Sequence, residues 1–254
     1  MNKKAVVVCL AASFFSPAFS QTSGEQYHAA GIIHGNRTMT SFGNWGVIGE
    51  PAALGSRGAW LYPTNGYIGD LSIFVGVELP VRDYNGDGIP DTVHSVITCN
   101  VYRPTPALDA DPKTGKFWTF EPDSGYLNPV SGSPAIRSLP STWPPVWPDH
   151  PEWGSGHWHG LRGPDSLSGD DEAYFRMDDR NDARFNVAAN NPRGIAFRPD
   201  STDPSRLGAG INVGVRYIQS AQPLFRDTYF RVFDIKNEGT TASRSFISFT
   251  MAML

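Results

Sequence analysis

From Leu71 to Leu79 every second residue is apolar: Leu71, Ile73, Val75, Val77 and Leu79 fall on one face of an extended chain. A second strand is predicted from Val93 to Tyr102, with Val93, Ile97, Cys99 and Val101 sharing a face. Near the end, Ile211, Val213, Val215 and Tyr217 alternate with Asn212, Gly214 and Arg216. Tyr229 to Ile235 and Phe246 to Met253 read as two further strands, with Asn237-Glu238-Gly239 a turn between them. Residues 41–70 set Phe42, Trp45, Trp60, Tyr62 and Tyr67 among turn residues, which fits short strands. Outside residues 1–20 no helical period runs for more than a few turns. The predicted class is therefore all-β: an antiparallel β-sandwich over 41–254, with a polar leading segment at 21–40.

One stretch breaks the pattern. Prolines recur from Pro104 to Pro164, too often for a helix or a central strand. Trp143, Trp147, Trp153 and Trp158 crowd the same region. A long Pro/Trp-rich loop inserted into the sandwich is expected, ordered by its aromatics.

Composition adds a compartment. Asn2-Lys3-Lys4, an apolar run from Ala5 to Phe15, and Pro17-Ala18-Phe19-Ser20 form an export signal with cleavage before Gln21. The run is shorter than the roughly 20 residues a membrane span needs. A secreted or cell-surface protein follows, without a transmembrane segment after cleavage. The formal charge is −4, and loss of Lys3 and Lys4 takes it to −6. That disfavours a nucleic-acid partner, which needs a basic face. Cleavage leaves Cys99 as the sole cysteine, so no internal disulfide can form; it reads as a buried thiol. The chain stops inside an apolar strand pattern, as a fragment of a longer protein would.

The strongest motif joins the first two strands. Asp83, Asn85 and Asp87 stand at loop positions 1, 3 and 5, Gly88 at 6, Ile89 at 7 and Asp91 at 9. Calcium needs six or more oxygens, and this spacing aims three carboxylates, an amide and the Ile89 carbonyl at one point. The loop resembles the calcium loops of thrombospondin type 3 and dockerin modules. It departs from the full EF-hand loop, since His94 and not a bidentate Glu stands at position 12. Asn-Gly and Asp-Gly also form plain hairpin turns, and that alternative stands beside the first.

Three other groups invite chemistry. Asp178, Asp179, Asn181 and Asp182 could hold a cation, but their spacing fits no metal loop, and a solvated acidic surface is the expected outcome. His157 and His159 would share a face of an extended chain and could begin a zinc or iron site, though no third ligand stands at a diagnostic spacing. Trp143, Trp147, Trp153 and Trp158 could line a glycan groove or could pin the loop by burial. The chain has no G-x-S-x-G elbow, no P-loop and no G-x-G-x-x-G fingerprint.

Asn44-Trp45-Gly46, Tyr62-Pro63, Trp143-Pro144, Asp171 to Phe175, Asp178 to Asp182 and Phe230 to Gly239 occur in that order. Together they resemble the N-terminal portion of large secreted β-sandwich proteins of Gram-negative bacteria. The resemblance implies location and architecture, not a reaction. The expectation is a non-catalytic adhesion or structural module with a calcium-stabilised loop, meeting surface polysaccharide or other surface proteins. The alternative is a carbohydrate-binding module, or an accessory part of a polysaccharide-degrading enzyme.

Overall fold

The computed structural model describes residues 24–61, 64–80, 83, 85–89, 91–99, 118–186, 196–241 and 244–248. Residues 1–20, read above as an export signal, Tyr62-Pro63 and the chain beyond Ser248 lie outside them.

The strands are β1 (Ala30–Ile33), β2 (Thr38–Gly43), β3 (Val47–Ile48), β4 (Ala59–Trp60), β5 (Leu71–Ser72), β6 (Phe74–Pro80), β7 (Thr92–Thr98), β8 (Glu121–Pro122), β9 (Asp171–Asp178), β10 (Ile211–Gln219), β11 (Tyr229–Asn237) and β12 (Arg244–Ser248). They form three sheets: β1-β2-β3-β5 with β4 on β2, β11-β10-β9-β8, and β12-β6-β7. Every pairing of these strands is antiparallel. The all-β class is what the alternation predicts. Among the described residues no helix is long and apolar enough to cross a membrane.

All three sheets contribute to one core. Phe42 comes from the first, Val75 and Ile97 from the third, and Phe175, Val215 and Tyr217 from the second. Cys99 is buried within it, and burial pushes its thiol up to about 12, so it stays protonated and inert.

Two expectations change. The predicted leading segment, 21–40, contains β1 and the start of β2, which pair from Ala30↔Gly43 to Ile33↔Thr40. These strands hold few large apolar residues, so their alternation is faint in the sequence. The run 71–79 is not one strand. Leu71-Ser72 pairs with β3, the ladder breaks at Ile73, and Phe74 to Pro80 pairs with β7 in another sheet. One apolar row thus serves two sheets of the same core. The strand after Gly239 leaves β11 and joins β6, with Phe246 opposite Gly76.

Both faces of β9 and β10 are buried. Ala173, Phe175 and Met177 enter the main core. The intervening Tyr174 enters a second cluster with Tyr126, Ala135, Trp147 and Trp158. The Pro/Trp-rich loop is therefore a third layer, laid on the outer face of this sheet.

Candidate functional site

The 83–91 loop links the hairpin whose last pair is Pro80↔Thr92. The Asp83 carboxylate accepts from the N–H of Gly86 (2.5 Å) and of Gly88 (2.7 Å). Asn85 Oδ1 accepts from Asp87 N, and Asp87 Oδ1 from Ile89 N. Asn85 Nδ2 donates to Asp87 Oδ2 (3.1 Å) and Asp91 Oδ1 (3.3 Å). Gly88 sits at φ 84°, a conformation that other residues adopt only under strain, and this lets the chain fold back on Asp83. The Gly88 N–H, followed by other backbone donors, lowers the Asp83 carboxyl below its usual range. The loop is thus wound around its own acidic side chains, and Ile89 points its side chain to solvent.

The four tryptophans do not form one exposed platform. Trp147 and Trp158 are each 1% exposed. Trp147 donates its indole N–H to His157 O (2.8 Å), and Trp158 to Glu172 Oε2 (3.2 Å). Trp143 and Trp153 are partly buried against this pair. Burial of these rings against Tyr174 fixes the loop on the sheet.

Beneath them runs a polar chain. Arg216 Nη1 donates to Glu172 Oε2 (2.9 Å), and both side chains are buried. Arg216 Nη2 donates to His159 Nδ1 (2.9 Å). Since Arg216 can only donate, His159 carries its proton on Nε2, which donates to Asp149 Oδ2 (3.1 Å). The Tyr174 hydroxyl donates to the same oxygen (2.9 Å). Burial depresses the His159 pKa. Although burial works the other way on Asp149, the hydrogen bonds from His159 and Tyr174 hold its carboxyl at about 2. His157 and His159 do not share a site: His157 Nδ1 pairs with Asp165 Oδ2 (2.6 Å). His159 instead lies beside Asp149 and His150. Among the described residues these are the one group of three His, Cys, Asp or Glu donors all within 4.8 Å of one another.

The acid run is not a solvated surface. Asp179 and Asp182 are fully buried. Asp179 accepts from Arg206, Ala209 N and Ile211 N, and Asp182 accepts from Arg184. The Asp179 carboxylate ties the chain after β9 to the start of β10, and that of Asp182 holds the turn at Arg184.

An open cleft lies elsewhere, on residues the sequence presents only as turn aromatics. The pairing of Thr38 with Trp60 and the bridge between Ala59 and Gly66 bring Trp60 beside Tyr67. The two rings meet edge to face with centroids 6.5 Å apart, and they are 41% and 60% exposed. Asn36 Nδ2 donates to the carbonyls of Phe225 and Thr228, and Arg37 N to that of Arg226, which holds the segment before β11 against β2. Asp227 thereby reaches Trp60, whose indole N–H donates to its Oδ1 (2.8 Å). Thr38, Thr40 and Tyr229 complete the lining of a mainly apolar cleft of about 360 Å³. The Tyr229 hydroxyl is buried with no hydrogen-bond partner among the described residues. No local spacing could have signalled this site, because Trp60 and Asp227 are 167 residues apart.

Comparison with protein-family models, with curated proteins and with solved structures finds no match to this chain.

Proposed function

We propose that this chain is an exported, non-catalytic surface or adhesion module that binds a saccharide in the Trp60–Tyr67 cleft. The observation that carries the reading is a pair of large aromatic rings, exposed in a protein that buries Trp147 and Trp158, set beside a carboxylate that one of them holds. Pyranose rings present apolar C–H faces and polar rims. An indole and a phenol supply flat apolar surface for the first, and the Asp227 carboxylate offers acceptor oxygens for the second. Binding fits better than hydrolysis. Asp227 is the one carboxylate among the lining residues, whereas most glycosidases need two across the bond they cleave.

The test is calorimetric titration of neutral and acidic oligosaccharides. Trp60→Ala and Tyr67→Ala are each expected to weaken binding at least tenfold. Trp60 is at the surface, so its replacement should leave stability within about 1 kcal/mol. Saccharide binding that survives both changes, or none across the panel, would reject the reading.

Residues 1–20 supply the export part of the proposal, and the looser resemblance to secreted β proteins agrees with it. Calcium belongs to the proposal as a clamp on Asp83, Asn85, Asp87, Asp91 and the Ile89 carbonyl. Binding would replace the Asn85 amide as the link between Asp87 and Asp91 and so add to folding. At ten times its Kd an ion adds about 1.4 kcal/mol, or ~3 °C in a domain of this size. Extracellular sites of this kind bind in roughly the 0.1–1 mM range. Melting scans in 10 mM calcium and in EDTA should differ by that amount, and Asp87→Asn should remove the difference. Superimposable scans of the unaltered protein would exclude the clamp.

A further inference from the structure

We propose that the Trp60–Tyr67 cleft takes an anionic saccharide, whose carboxylate or sulfate group is held by Arg37 and Arg226. The inference rests on the saccharide reading above and names its ligand class. Two guanidiniums converge on Asp227, the one carboxylate among the lining residues. Arg37 Nη1 lies 3.7 Å from Asp227 Oδ1, and Arg226 Nε lies 3.6 Å from Asp227 Oδ2. Both separations are too long for hydrogen bonds. Among the described residues neither guanidinium has a second carboxylate within ion-pair reach. Two cations thus share one anion, which leaves one positive charge in excess beside the cleft, in a chain whose formal total is −4. The neighbouring Arg57 adds nothing to this excess, because it pairs with both Glu50 (3.3 Å) and Asp70 (3.1 Å).

The fold fixes where the two arginines stand. The Arg37 N–H donates to Arg226 O (2.9 Å), and the Arg37 carbonyl accepts from Leu61 N (3.0 Å). Arg37 is therefore clamped between the end of β4 and the segment that carries Arg226 and Asp227. Trp60 Nε1 donates to Asp227 Oδ1, the same oxygen that Arg37 approaches, so the cationic pair is tied to the aromatic wall. The Arg37 and Arg226 side chains are 42% and 45% exposed, and a solute can reach both.

A guanidinium presents parallel N–H donors in a planar fork that fits two oxygens of a carboxylate or sulfate. Exposed ion pairs as long as these contribute little, so turning the arginines from Asp227 towards a ligand costs little. The direct charge-assisted hydrogen bonds that replace them are the stronger contacts. Asp227 repels an anion, but two cations at comparable distance outweigh it. Trp60 and Tyr67 remain free to meet the sugar's apolar face.

The test is calorimetric titration with three oligosaccharides of equal length: one neutral, one of hexuronic acid and one sulfated. At least one anionic ligand is expected to bind tenfold or more tighter than the neutral one at about 50 mM sodium chloride, and the ratio should shrink towards one at about 500 mM. Comparison of the uronate and the sulfated ligand tells which anion the arginines accept. The double variant Arg37→Gln with Arg226→Gln removes both cations at half-exposed positions. It should melt with the unaltered protein and lose the preference for the anionic ligand. Equal binding of neutral and anionic ligands by the unaltered protein, a preference untouched by salt, or a preference that survives the double variant would overturn the anionic assignment and leave the cleft reading standing. Failure of all three ligands to bind would reject the cleft reading and this inference with it.

Discussion

Alanine in place of Asp179 is expected to cost about 3–5 kcal/mol of folding stability, or ~10 °C in melting temperature. Asp179 is fully buried and accepts from Arg206 Nη2 (2.9 Å), Ala209 N (2.6 Å) and Ile211 N (3.0 Å). Removing the carboxylate leaves two buried N–H groups without acceptors. It also leaves Arg206, itself 3% exposed, with the Leu207 carbonyl at 2.8 Å and, among the described carboxylates, the more distant Glu238 at 3.9 Å. An uncompensated buried cation is the costlier of the two losses. Gly208, at φ 75°, packs its backbone directly on Asp179, so the chain cannot close over the gap without moving the start of β10. Urea denaturation measures the loss. The double variant Asp179→Leu with Arg206→Met should recover part of it, because it removes both charges together. A single variant within 1 kcal/mol of the unaltered protein would show that the carboxylate anchors nothing.

Trp147→Ala is expected to be nearly as damaging, at about 3–5 kcal/mol, and to act on a different part of the molecule. The indole is buried and meets Trp158, Tyr126, Tyr174 and His159 at centroid separations between 5.1 and 6.4 Å. Its N–H also satisfies the His157 carbonyl. The cavity left behind lies in the second cluster, apart from the core shared by the three sheets. The variant should thus lose near-ultraviolet aromatic dichroism and admit protease first between residues 123 and 169, while far-ultraviolet dichroism remains that of sheet. Simultaneous loss of both signals would mean that the tryptophan layer and the sheets unfold as one unit.

The alternation of Val75, Val77 and Leu79 and of Ile211 to Tyr217 made the strands legible, because side chains on a pleated chain must alternate between faces. The Asn-Gly and Asp-Gly pairs between Asp83 and Asp91 likewise marked a turn, whose described side-chain hydrogen bonds run between residues close in sequence. β9 shows no such alternation, for the opposite reason. Glu172, Tyr174 and Arg176 look like a solvent face until the tryptophan layer covers them, and the sequence does not say what covers a face. The acid run misled in the same way: Asp179 finds its donors at Arg206, Ala209 and Ile211, brought near by the chain's return into β10.

By itself, then, the sequence determined which residues extend and which turn, both consequences of short-range backbone geometry. Tertiary structure alone decided which aromatics are buried and which are exposed. It also decided which histidine meets which carboxylate. Those outcomes depend on strand register and on layers packed from segments more than a hundred residues apart, as Trp60 and Asp227 are.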